Sequence, residues 1–292
     1  MEQLLQQIVN GISLGSIYAL IALGYTMVYG IIKLINFAHG DVYMVGAYVG
    51  FFVTSYTGVG FIPALIIAMA SCAILGMAIE KVAYKPLRNS SRIAVLITAI
   101  GVSLLLEYLM MYFAGAQVRS YPKLFSGRVF TIGNIVIKTQ QIYIVITALI
   151  LMFILQYTVN KTKVGKAMRA VSADKDAAQL MGIKVNDTIS FTFAIGSALA
   201  GAGGVLVGVY YNSIDPLMGM MPGLKAFVAA VFGGIGSIPG AMIGGLSIGM
   251  LETLVSGYGN SMYRDAAVFA FLILILILKP SGLLGKNTKE KV

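Results

Sequence analysis

The side chains able to do chemistry in this sequence are few, and the most unusual of them interrupt long apolar runs. There is one histidine, His39, and one cysteine, Cys72, among 292 residues. A disulfide framework and a cysteine or multi-histidine metal site are therefore excluded within the chain, and any Ser-His-Asp arrangement would have to use His39. The nearest approach to a phosphate-binding loop, Val164-Gly165-Lys166-Ala167, lacks both the upstream glycine and the hydroxyl that would ligate magnesium, so the sequence carries no P-loop for ATP. What remains is a set of ionisable residues within or at the ends of apolar stretches: Lys33, His39, Asp41, Glu107 and Lys225. Charge is costly in hydrocarbon, which makes each a candidate for function. Lys33 and Asp41 read equally as an interfacial pair or as contacts of a substrate or gate. Glu107, in Leu104-Leu105-Leu106-Glu107-Tyr108, reads as a polar contact between helices or as a protonated carboxyl, and Lys225 as a cap at an outer interface. No catalytic, cofactor-binding or metal-binding residue is expected.

The elements that must position these residues are membrane spans. The chain is 58% hydrophobic and 11% charged, against roughly 45–50% and about 25% for a soluble domain. Apolar runs fall at about 8–30, 31–56, 61–82, 93–114, 140–159, 187–211, 223–257 and 262–279, most of them near or above the roughly 20 residues needed to cross about 30 Å of hydrocarbon. The sequence predicts an all-α integral membrane protein, a single domain over 1–292 with about seven transmembrane helices plus a re-entrant hairpin, or eight spans. Three breaks concentrate positive charge: Lys81, Lys85, Arg88 and Arg92; Lys161, Lys163, Lys166, Arg169, Lys175 and Lys184; Lys279, Lys286, Lys289 and Lys291. Cytoplasmic loops carry such an excess, so these three breaks are expected in the cytoplasm. The loop at 115–139, with Arg119, Lys123, Arg128 and Lys138, then faces outward, the N-terminus is outside and the C-terminus is cytoplasmic. The net charge of +10 reports this orientation and not a nucleic acid, because no basic run is interleaved with aromatics. Met1-Glu2-Gln3-Leu4 lacks the positive region of a signal peptide, so the first apolar stretch is expected to be a retained span. Cys72 reads as a small core residue.

Three interruptions are more informative than the runs. Residues 223–257 are too short for two full spans, yet a single crossing would leave the lysine-rich C-terminus outside. A re-entrant hairpin resolves both problems, with its turn at Gly233-Gly234-Ile235-Gly236-Ser237-Ile238-Pro239-Gly240. Irregular backbone at membrane depth survives only where protein buries it or a watery cavity needs it, so Gly233, Gly234, Gly236, Ser237, Pro239 and Gly240 are candidates for a translocation path. A tight interhelical turn near the surface, with glycines for close packing, is the other reading. The second interruption, Asn36-Phe37-Ala38-His39-Gly40-Asp41, adds Asn36, His39, Gly40 and Asp41 to the path, since paired broken segments point to a midplane site. The third is a cytoplasmic coupling segment at 160–186. Ser172, Asp174 and Asp176 supply capping oxygen and negative charge at a helix start. Ala177, Ala178, Leu180 and Met181 form a short apolar-faced helix, and Gly182 permits a left-handed stop. With Gly165 and Arg169, this segment fits a groove on a soluble partner, or else the lipid surface.

At these residues the sequence resembles the permease subunits of branched-chain amino-acid ATP-binding-cassette importers. The matching stretches are Asn36–Asp41 with Gly46-Ala47-Tyr48, Gly165-Lys166-Ala167-Met168-Arg169-Ala170-Val171 through Ala177-Ala178 and Gly182-Ile183, Ala200-Gly201-Ala202-Gly203-Gly204, and Gly233–Ala241 followed by Gly244-Gly245. They cover most of the chain in the family's order. The resemblance implies a multi-pass permease of the bacterial cytoplasmic membrane, working with two cytoplasmic ATP-binding subunits, a second related permease and an extracytoplasmic solute-binding protein. It also implies that the segment at 165–183 contacts the ATPase. The same broad family includes urea and short-chain amide permeases. A pore without its own nucleotide site needs an external energy source, which agrees with that assembly. The rivals are a stand-alone proton-coupled carrier or channel using Asp41, His39 and Glu107, and an intramembrane enzyme using His39.

Overall fold

The computed structural model describes residues 2–285 other than 34, 35, 89 and 126. Lys286, Lys289, Lys291 and the side chain of Arg92 lie outside the described residues. The chain is helical almost throughout. In order it forms α1 (Glu2–Ile32), α2 (His39–Thr57), α3 (Phe61–Ile79), α4 (Arg92–Ala114), α5 (Thr139–Lys161), α6 (Lys163–Ala173), α7 (Lys175–Leu180), α8 (Val185–Tyr211), α9 (Met220–Gly233), α10 (Ile238–Tyr258) and α11 (Arg264–Leu278). A π turn at Glu80–Tyr84 and a 3-10 turn at Lys85–Leu87 extend α3.

Among the described residues, seven helices are long and apolar enough to cross a membrane: α1, α3 with its extension, α4, α5, α8, α10 and α11. This set differs from the expected one in two places. His39, Asp41, glycines and tyrosines dilute the hydropathy of α2, which has 19 residues but is not among the seven. The 223–257 stretch resolves into unequal helices, α9 with 14 residues and α10 with 21. At 1.5 Å per residue α9 rises only about 21 Å, short of a full crossing.

α1 and α8 form the core, each buried along 89% of its central stretch, whereas α4 is buried along 17% and α11 along 6%. α1 runs antiparallel to α10 so closely that a Cβ on Gly249 would stand 2.2 Å from the Gly15 nitrogen. Small residues permit that approach where lipid provides no hydrophobic drive between helices. Cys72 is buried against α2 and α8, its thiol 3.4 Å from the Val42 carbonyl.

The contacts define two ends of the bundle. At one, Gln3 donates to the Gly257 carbonyl at 2.7 Å, and Gln6 both donates to and accepts from Val136. This end carries the 115–139 loop. The expectation of an all-α chain misses its strands. β1 (Arg119–Ser120) pairs with β4 (Ser213–Ile214), and β2 (Val129–Ile132) forms a hairpin with β3 (Ile135–Lys138). The signal was present, because β-branched residues flank Gly133-Asn134, a two-residue turn with Gly133 at φ +62°. Tyr121 is buried beneath this cover, and burial pushes its phenol pKa up.

The turn between α9 and α10 belongs to the opposite end. Gly234 and Gly236 take φ of +100° and +94°, Ser237 caps α10 by accepting from Gly240 N at 3.2 Å, and Pro239 sits in the first helical turn. A Cβ on Gly233 would lie 2.0 Å from the Gly240 carbonyl oxygen, and one on Gly234 would lie 2.3 Å from Gly285 N. Leu283 and Leu284 donate to the carbonyls of Phe232 and Gly233, so the segment after α11 closes over this turn. The same end holds Gly30, whose carbonyl accepts from Ser172 of α6 at 2.5 Å.

Candidate functional site

α1 stops at Ile32 with Lys33 in a left-handed conformation, φ +56°. The chain turns back before α2. Asn36, buried, accepts from the Tyr84 hydroxyl at 2.8 Å, and His39 packs edge-on against Tyr25 with centroids 4.7 Å apart. The first turn of α2 therefore lies level with Gly24, well inside the bundle: a Cβ on Gly24 would be 2.2 Å from His39 Nε2. There Gly40 meets the start of α9, where a Cβ on Gly40 would stand 2.5 Å from the Gly219 carbonyl oxygen. Neither Gly40 nor Gly219 leaves room at this crossing for a side chain of its own.

Asp41, one position on, is 2% exposed. Ser103 of α4 donates to its Oδ2, while Oδ1 lies beside Gly219 with no hydrogen-bond partner. Glu107, one helical turn beyond Ser103, is also buried. Tyr25, Phe37, Gly40, Asp41, Ser103, Glu107 and the beginning of α9 line an open-sided cavity of about 310 Å³, with Ile100, Leu104 and Met220 exposed at its mouth. Gly40, Asp41 and Glu107 are thus brought together. Lys33, Asn36, His39, Gly233, Gly234, Gly236, Ser237, Pro239 and Gly240 do not line this cavity. Sequence reasoning passed over Ser103 and Gly219. Ser103 stood four positions before Glu107 on the same helix face, a usable signal inside an apolar run.

Lys225 is not an interfacial cap. It is buried, and its Nζ pairs with Glu252 Oε1 at 2.9 Å and Asp265 Oδ1 at 2.6 Å. Tyr18 donates to Glu252 Oε2 at 2.7 Å, and Arg264 Nε stands 3.8 Å from Glu252 and 3.5 Å from Asp265. Two cations and two carboxylates balance, and they tie α1, α9, α10 and α11 together. A second buried carboxylate, Glu80, pairs with Arg88 and accepts from Ser190 at 2.5 Å, while Arg88 also donates to Asn186 at 2.6 Å. That cluster binds the end of α3 to the start of α8.

The 160–186 segment is a two-helix arm. Thr162 caps α6 by accepting from Gly165 N at 3.1 Å, and Arg169 donates to the Val159 carbonyl at the end of α5. The sequence reading expected Ser172 to cap a helix. Instead it lies within α6 and fastens that helix to Gly30 of α1, because the chain is already helical from Lys163 on. Asp174 is the cap of α7, accepting from Asp176 N at 2.9 Å and Ala177 N at 3.0 Å, with Asp176 in the first turn. Ala178 faces inward and Ala177 outward, and Gly182 ends the arm at φ +81°. Leu180 and Met181 are 89% and 82% exposed at its tip.

Long apolar helices around a mostly apolar cleft that holds two buried carboxyls, with a braced helical arm at one end, suit a transport permease of the multi-pass class. The chain belongs to the family described as branched-chain amino acid transport system / permease component, whose model matches residues 7–278. It is 47% identical to the high-affinity branched-chain amino acid transport system permease protein LivH of Salmonella typhimurium, over 99% of this chain and 97% of that protein. It is 45% identical to LivH of Escherichia coli K12 over the same shares, and 43% identical to BraD of Pseudomonas aeruginosa over 99% and 98%. With its seven apolar helices, it is a multi-pass inner-membrane protein.

Proposed function

We propose that this chain is the permease subunit of an ATP-driven importer that carries branched-chain amino acids into the cytoplasm. Two cytoplasmic ATP-binding subunits supply the energy, a second related permease completes the pore, and an extracytoplasmic solute-binding protein delivers the solute. The observation that carries the reading beyond family membership is the arm. α6 is pinned to α1 and α5 by Ser172, Gly165 and Arg169, and α7, which follows it, presents Leu180 and Met181 bare at the tip of the arm. An exposed apolar tip on a braced helix suits a groove in a soluble partner, and the braces would carry its displacement into α1. In this orientation the arm and the C-terminal segment face the cytoplasm, the β-hairpin end faces outward, and α9 and α10 return the chain to the outer side before α11.

Closure of the ATPases would move the arm and rock the bundle between outward- and inward-facing states. The path then runs through the cavity at Gly40, Asp41 and the start of α9, while Gly233–Gly240 form the hinge-like turn that anchors it. The test is reconstitution of the assembled complex in proteoliposomes. Replacing Arg169, Asp174 and Asp176 together by alanine leaves ATP hydrolysis but uncouples it from leucine uptake. Transport at the unmodified rate by that variant would remove the arm from the mechanism. Uptake driven by a pH gradient through this chain alone would replace the importer reading with a stand-alone carrier.

A further inference from the structure

We propose that the cavity between α1, α2, α4 and α9 is a transient binding site for a zwitterionic aliphatic α-amino acid, with Asp41 and Glu107 receiving its ammonium group. This rests on the importer reading above and adds to it the place and chemistry of substrate contact within the permease.

Two carboxyl side chains, 2% and 8% exposed, line one cavity that contains no basic residue. Both oxygens of a buried carboxylate need partners, yet Asp41 Oδ1 has none, while Ser103 already occupies Oδ2. The missing partner is a hydrogen-bond donor, and beside two carboxyls an ammonium group fits, bringing positive charge and three donors. The opposite requirement is met by backbone. α2 and α9 both begin at this cavity, and the N-cap of α9, Gly219, offers no side-chain cap. The positive ends of two helix dipoles converge here, which suits a carboxylate. Phe37, Ile100, Leu104 and Leu224 supply apolar wall for an uncharged aliphatic side chain. A cavity of about 310 Å³ has room for a solute of leucine's size. Contacts to one free Asp41 oxygen, Glu107 and backbone are few enough to release the solute in each cycle.

The test uses the complete complex, with ATPases, partner permease and binding protein, in proteoliposomes. A diazirine-bearing leucine analogue, photolysed during ATP-driven turnover, labels peptides containing residues 100–107 and 219–224, and excess leucine suppresses the label. Asp41→Asn and Glu107→Gln, checked for intact assembly by co-elution of all subunits, each lower leucine uptake by roughly tenfold to a hundredfold, the worth of one charge-assisted hydrogen bond. Label confined to other segments of the wild-type complex overturns the proposal whatever the variants do. So does uptake by both variants within twofold of wild type. If the wild-type complex imports no branched-chain amino acid at all, it is the importer reading that fails.

Discussion

Removing the Lys225 ammonium is the sharpest test of how α1, α9, α10 and α11 are held together. Lys225 stands 2.9 Å from Glu252 and 2.6 Å from Asp265. Lys225→Met keeps the length of the side chain and deletes its charge, so the loss is electrostatic and not a cavity. Two carboxylates then share Arg264 alone, at 3.8 and 3.5 Å, and the cluster goes from neutral to one net negative charge. Breaking a buried pair on one side costs about 3–5 kcal/mol, because the orphaned charge stays desolvated. A second substitution, Glu252→Gln, restores neutrality by leaving Arg264 with Asp265. The double variant Lys225→Met/Glu252→Gln therefore regains most of the loss, and the coupling between the two sites is at least about 1–2 kcal/mol. Thermal melting in detergent, followed by fluorescence-detected size exclusion, ranks the three variants against wild type. The reasoning fails if the single variant melts with wild type, or if the double variant melts at or below the single one. Either result would mean that water already reaches the cluster and screens it.

Three further outcomes follow from the arm and the cavity. Leu180→Asp with Met181→Asp weakens association with the ATPase subunits by more than about tenfold in a pull-down, because two exposed apolar contacts of roughly 1–2 kcal/mol each are lost while nothing inside the fold is touched. Gly165→Val would place a Cβ 2.2 Å from the Val159 carbonyl oxygen. Relief requires α6 to lift from α5, costing about 1–3 kcal/mol, and the complex hydrolyses ATP with uptake lowered several-fold. The Arg169, Asp174 and Asp176 triple alanine variant and the Asp41→Asn and Glu107→Gln variants separate the two sites. The first uncouples hydrolysis from uptake, and the others reduce uptake at the cavity, both read as ATP consumed per leucine imported.

The sequence by itself determined that this is a helical membrane protein and roughly where each helix lies. Hydrophobic runs, charge in short loops and capping residues are local signals, and in lipid an apolar run of about 20 residues satisfies its own backbone as a helix. That is why the expected run at 93–114 and the observed α4 at Arg92–Ala114 agree so closely, and why the 160–186 segment stood out before its geometry was known. Local signals also sufficed for Asp174 as a cap and Gly182 as a left-handed stop. They were present but unread for the β2–β3 hairpin and for Ser103. What only the tertiary structure decided is which broken elements meet. Gly40 and Gly219 are 179 positions apart, and no short-range pattern announces that their backbones touch. Lys225 needed Glu252, Asp265 and Tyr18 from three other helices before its burial made sense. The glycine turn at Gly233–Gly240 looked like backbone facing a watery cavity, yet it packs against residues 282–285, which the chain reaches only after two more helices. Such partners are fixed by shape and charge neutrality across the whole bundle, a long-range condition that the order of residues implies but does not display.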